Sequence, residues 1–207
     1  MILGMAHLAL SVSSIEEGKK RLENRGFNCI FLERSAINHP AKKHLLEHHQ
    51  PSHEIALFHN SNINLSIEII NHGHVCYTKR GSYQLKNDCI ELCTSDFEKE
   101  KNFWIEGLGF REESENLLNF SSIVPRWSCK IKLIENPKIQ PTTLDSQGYP
   151  CLAFFTNSLA RDLDLAKQVG AYDLTEIFEL CVNNKTLNIA LFRTPGSAIC
   201  ELIQPQR

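Results

Sequence analysis

The chain has nine histidines, all before residue 75, and five of them (His39, His44, His48, His49 and His53) fall in the stretch NHPAKKHLLEHHQPSHE at 38–54. Imidazole is the commonest protein metal ligand and the side chain that titrates nearest neutral pH, so metal binding is the first chemistry to weigh. Pro40 is placed to open a helix and Pro51 to end it, which predicts His44 and His48 four apart on one helical face. The HExxH pattern is absent, and no third ligand is fixed by spacing. Lys42, Lys43, Glu47 and His49 make most of this short helix polar, leaving Leu45 and Leu46 to anchor it. It is therefore predicted to be a solvent-facing lid or interface helix.

The eight cysteines are distributed oppositely, all but Cys29 lying at position 76 or later, with no CxxC pair. Reduced, mostly buried thiols in a cytoplasmic protein are the expectation. A thiolate zinc site from Cys89, Cys93 and Cys151 is the sharper alternative, because Cys89 and Cys93 share a strand face. The formal net charge is −2 with acids and bases mixed along the chain, so no footprint for nucleic acid or an anionic membrane is present. No apolar run approaches the roughly 18 residues of a membrane span. Nucleophile-elbow, phosphate-loop and dinucleotide fingerprints are also missing, which leaves a small molecule as the expected partner.

The elements that must position these residues repeat three times. In AHLALSV (6–12), Leu8, Leu10 and Val12 alternate with His7, Ala9 and Ser11, as in a half-buried strand. SSIEEGKKRLENRGF then reads as a helix capped by Ser13 or Ser14 and ended by Gly26, and NCIFLE, EIALFH and INLSIEII read as strands. After a polar linker near 71–87 the order recurs as CIELCTS, helix DFEKEKNFWIEGLGF, REESE, NLLNFSS and SCKIKLIE. From residue 150 it recurs as PCLAFFT, helix SLARDLDLAKQVGA, YDLTEIFEL, LNIALFR and AICELIQ, with TPGS at 194–197 as the last hairpin turn. The predicted fold is α+β, with three βαβββ modules.

DFEKEKNFWIEGLGF, with its helix ending in Leu-Gly-Phe, and IALFRTPGSAICELIQ, a closing hairpin with a glutamate in its last strand, resemble the vicinal oxygen chelate superfamily. MAHLALSVSSIEEGKKRLENRGF adds a histidine in the opening strand. This superfamily includes glyoxalase I, bleomycin and fosfomycin resistance proteins, methylmalonyl-CoA epimerase and extradiol dioxygenases. The resemblance implies curved mixed sheets in which paired modules form a cup, with metal ligands on the first and last strand of each module.

By position, those places are held by His7 and Glu68, then Cys89 and Lys132, then Cys151 and Glu201. Parity agrees for Glu68, since Leu65, Ile67 and Ile69 take the other face. A lysine ammonium has no lone pair to give, so the second module's place implies a metal-free cup in which Lys132 pairs with Glu91 or holds an anion. Trp127 is a further candidate for lining a ligand cup, with a core role as the alternative. The expected domains are a single module at 1–75 with its 38–54 insertion, and paired modules at 88–205, split as 88–135 and 148–205. A homodimer that brings together two copies of His7 and Glu68 is one arrangement. Packing of the first module on the third, which would join His7, Glu68, Cys151 and Glu201, is the other. The implied activities are a metal-dependent lyase, isomerase or dioxygenase using nickel, zinc, iron or manganese, with Glu68 as general base. A metal-free ligand-binding protein and a non-catalytic assembly module are the alternatives.

Overall fold

In the computed structural model, which describes residues 1–86, 89–124 and 128–206, the strand–helix–strand–strand–strand order appears three times. The first module comprises β1 (Ile2–Ser11), α1 (Ile15–Glu23), β2 (Asn28–Ile37), β3 (Ser52–Asn60) and β4 (Leu65–Asn71). Ser14 caps α1, its side chain accepting from Glu17 N at 3.3 Å, and Gly26 takes the left-handed φ of 79° that turns the chain toward β2.

The polar linker expected near 71–87 carries two further strands, β5 (Cys76–Arg80) and β6 (Tyr83–Lys86). The turn between them lies directly on a later strand: Gly81 N donates to Gln147 O at 2.9 Å, and a Cβ at Gly81 would stand 2.1 Å from Tyr149 O. Only glycine permits that approach.

The second module follows as β7 (Cys89–Thr94), α2 (Phe97–Asn102) with a π-turn at Phe103–Gly107, β8 (Arg111–Ser114), β9 (Leu117–Phe120) and β10 (Cys129–Glu135). The third is β11 (Ser146–Thr156), α3 (Leu159–Gln168), β12 (Phe178–Val182), β13 (Lys185–Arg193) and β14 (Ile199–Pro205).

The sequence reading placed the second and third modules together, but the ladders join the first to the third. β1 pairs antiparallel with β11, setting His7 opposite Ala153 and Ala9 opposite Cys151. Parallel pairing of β4 with β1 and of β14 with β11 extends this into one curved sheet, ordered β2-β3-β4-β1-β11-β14-β13-β12. Asn183 N, in the β12–β13 turn, donates to Glu33 Oε2 on β2 at 3.4 Å, so the far edges of the sheet approach each other. The second module forms β6-β7-β10-β9-β8, with β6 hydrogen-bonded along the edge of β7. That edge corresponds to the one by which β1 and β11 find each other.

The second module is tied to the third through its helix. Phe103 and Trp104 are fully buried, and Phe110, Phe154 and Phe192 pack around them edge-on or tilted. Glu100, also fully buried, accepts from Trp104 Nε1 at 2.8 Å and from Gly196 N in the TPGS turn at 2.6 Å. These two donors satisfy a carboxylate that burial drives above its ordinary pKa.

Candidate functional site

The concave face of the β1–β11 sheet encloses a cavity of about 310 Å³. Its wall is mainly aliphatic and aromatic, with Ile55 and Leu57 from β3, Leu180 and Val182 from β12, and Leu187, Ile189 and Leu191 from β13. Strand parity puts these side chains on the concave face, while Leu8, Ile67, Leu152 and Leu202 point to the helices.

At the polar end, His7 Nε2 lies 3.4 Å from Glu68 Oε2 and 3.5 Å from Glu201 Oε2. The symmetry of the ladder explains the convergence. Glu68 sits beside Ala9 and Glu201 beside Ala153, which itself stands opposite His7, so the two acids flank the histidine from corresponding strands. His7 is 7% exposed, and its Nε2 completes no hydrogen bond of good geometry. Burial disfavours the imidazolium, yet the Glu68 and Glu201 carboxylates outweigh it and hold the His7 pKa above its ordinary value. Glu68 is raised by burial and by Glu201, against the opposing pull of His7 and Lys42.

The structure therefore brings His7, Glu68, Cys151 and Glu201 to one cavity within one chain. Cys151 is 2% exposed, and burial, reinforced by Glu201, drives its thiol well above the ordinary range. Glu91 and Lys132 are not among the cavity's lining residues. They are side-by-side partners of β7 and β10, half-buried on the second module's own sheet. Trp127 lies outside the described residues. Cys89 and Cys93 are on β7 and do not line the cavity that holds Cys151.

The histidine-rich insertion is a packed lid, in place of the solvated helix expected from its composition. Only Pro40–Leu45 is helical, as a short 3-10 segment. Leu45 is fully buried, Leu45 O accepts from Leu144 N at 2.8 Å, and the Asp145 carboxylate accepts from Glu47 N and His48 N at 3.1 Å. His44 Nε2 meets Asp173 O at 3.0 Å while the His48 ring packs edge-on against His74, so the pair expected on one face is split.

Lys42, read from the sequence as part of a polar face, instead lines the cavity and is 8% exposed. Among the described residues its ammonium makes no ion pair. Burial lowers its pKa, against the attraction of Glu201 and Glu68. His53 and His72 also line this end, with Nδ1 atoms 3.4 Å apart and both Nε2 atoms unpartnered. Burial, then the Lys42 charge, pushes them down to about 2 and about 3, so both are neutral. The sequence carried a signal for these two, since His53 shares parity with Ile55 and Leu57, and His72 with Glu68 and Ile70. Nothing in the local pattern marked Lys42.

The donor set fits a metal ion poorly. His7, Glu68 and Glu201 converge, with His7 Nε2 turned onto both carboxylates, but among the described residues no group of three histidine, cysteine, aspartate or glutamate side chains is arranged to hold an ion. The fourth position holds a buried thiol rather than a second imidazole, and the Lys42 side chain occupies the same cavity.

No family model matches the chain, and a search of curated proteins found no match. Several solved structures are similar in architecture. Glyoxalase I from Zea mays is 15% identical with a TM-score of 0.41, over 97% of this chain and 67% of that one. Methylmalonyl-CoA epimerase from Mycobacterium tuberculosis is 12% identical with a TM-score of 0.49, over 100% and 91%. An antibiotic-binding protein from a Streptomyces species is 18% identical with a TM-score of 0.39, over 59% and 98%. The likeness is one of fold. Among the described residues no helix is long and apolar enough to cross a membrane.

Proposed function

We propose that the cup binds a small, mainly apolar organic molecule carrying one carbonyl or hydroxyl oxygen, and that it works without a metal ion. The observation that carries this reading is the placement of His7, between the Glu68 and Glu201 carboxylates, at the polar end of an otherwise apolar cavity that Lys42 also lines. Apolar walls supply binding by excluding water, and a few convergent polar groups fix orientation.

A ligand with its oxygen toward this end meets two kinds of group. The His7 imidazole, kept prone to protonation by the acids, donates a hydrogen bond or a proton. Glu68, made more basic by burial and by Glu201, takes a proton from an adjacent carbon or oxygen. Proton transfer between neighbouring atoms is the chemistry this pair supports. The site is complete within one chain, so a homodimer is not required to build it.

Elemental analysis of untagged protein, from cells supplied with manganese, iron, nickel and zinc, is the test of the metal-free reading. Well under one equivalent of each metal is expected. Near-stoichiometric metal that is lost in Glu201→Gln would overturn it. Calorimetry with benzyl alcohol as probe tests the cup: binding is expected, and it should weaken about ten-fold in Glu68→Gln, since a hydrogen bond to a charged group is worth about 1.5–3 kcal/mol.

A further inference from the structure

A lysine inside an apolar cavity is unusual, because burying an ammonium without a partner is costly. The 3-10 segment of the lid imposes this placement. Lys42 is three residues before Leu45, whose fully buried side chain and main-chain bond to Leu144 fix the segment over the cup. The side chain lines the same cavity as Glu68, Glu201, His7 and Cys151, entering from the 3-10 segment while they come from the sheet, and it makes no ion pair among the described residues.

We infer that Lys42 is a covalent carbonyl-capturing residue, forming an imine with an aldehyde or ketone ligand held in the cup. The inference rests on the cup reading above and names its substrate class: apolar carbonyl compounds.

The chemistry balances without a further reactant. The neutral Lys42 Nζ lone pair forms a C–N bond to the carbonyl carbon. The π electrons move to oxygen, which takes a proton from His7 or from protonated Glu68. The nitrogen of the resulting carbinolamine loses a proton to the Glu68 carboxylate. A second proton from the same groups lets the C–O bond break and water leave, giving an iminium, whose nitrogen returns its remaining proton to the Glu68 carboxylate to leave the C=N bond of the imine. The net change is amine plus carbonyl to imine plus water. Burial disfavours the ammonium and so makes the neutral amine more accessible than at an exposed lysine, and Glu68, itself raised, is placed in the same cavity to carry protons in both directions. The apolar wall shields the imine from bulk water.

Incubating the full chain at neutral pH with benzaldehyde and cyanoborohydride traps any imine as a stable secondary amine, located by peptide mass mapping. Lys42 is expected to be modified at least about ten-fold faster than any other lysine, because the rate follows the neutral-amine fraction. The Lys42 label should vanish in Lys42→Met and slow several-fold in Glu68→Gln. Labelling of Lys42 no faster than that of exposed lysines such as Lys43 overturns the inference. Benzyl alcohol, which cannot form an imine, separates the two readings. If the alcohol binds and Lys42 is not selectively labelled, covalent capture falls and the cup reading survives; if neither occurs, both fall. Circular dichroism of each variant confirms that the fold is retained.

Discussion

Cys151 and Cys89 occupy the same place in the third and second modules, and their surroundings differ in nearly everything that matters to chemistry. β11, which carries Cys151, has its edge taken by β1, so the residue is buried in a cup shared with His7, Glu68 and Glu201. β7, which carries Cys89, has the matching edge taken by β6, which itself pairs with β11 at Tyr83 and Tyr149, and its neighbours Glu91, Cys93 and Lys132 remain half-buried with no second module closed over them. The two modules share an order of elements but have different edge partners. A strand residue of this fold becomes a site residue when a second module closes over it, and the second module has spent that edge on a hairpin. Its helix does other work, packing Trp104 and Glu100 against the third module.

The largest test asks whether the second module is a structural brace. Trp104→Ala should lower unfolding free energy by about 3–5 kcal/mol, the range for emptying a large aromatic site, measured by denaturant titration. A loss under about 1 kcal/mol would show that the module contributes little to the cup's support. Next, Leu45→Ala should cost about 2–4 kcal/mol and also loosen the lid, seen as faster hydrogen exchange across residues 40–50. Unchanged exchange there would mean that the insertion is held by Asp145 rather than by the leucine.

The third test is pH. His53 and His72 are held neutral at about 2 and about 3, so as pH falls through the ordinary histidine value the unfolded chain takes up protons that the folded protein refuses. Stability is lost in that direction. His7, raised in the folded state, has the opposite sign: its contribution is fully present below the ordinary value and fades as pH rises through the folded one. Below about pH 6 His7 is protonated in both states and adds no slope, so the two losses give a fall of about 2.7 kcal/mol per pH unit. Unfolding titrations at several pH values check this. The fall should nearly disappear in His53→Gln/His72→Gln and keep its slope in His7→Gln, which instead removes the loss of stability as pH rises above the ordinary histidine value. The smallest effect belongs to the second module's sheet: Lys132→Ala should leave benzyl alcohol binding unchanged, and a weakened affinity would place a ligand there.

Much of the site was legible because strand alternation is local. His7 opposite Leu8 and Leu10, and Glu68 between Ile67 and Ile69, declare their face within a few residues, and the same parity would have marked His53 and His72. Lys42 escaped because a short 3-10 segment has no readable periodicity, and its neighbour Lys43 is exposed.

The chain by itself determined the three-fold order of elements, the α+β class and which side chains share a face, since each follows from alternation, capping and turn residues close in sequence. Only the tertiary structure decided that β1 meets β11, that β6 bars β7 from the same union, and that Lys42 enters the cup. The reason is physical. Edge pairing is made by backbone N–H and C=O groups that every residue carries, joining segments more than a hundred positions apart, so no side-chain pattern announces the partner. The direction of Lys42 likewise follows from where the lid is pinned, which Leu45, Leu144 and Asp145 settle only once they are brought together.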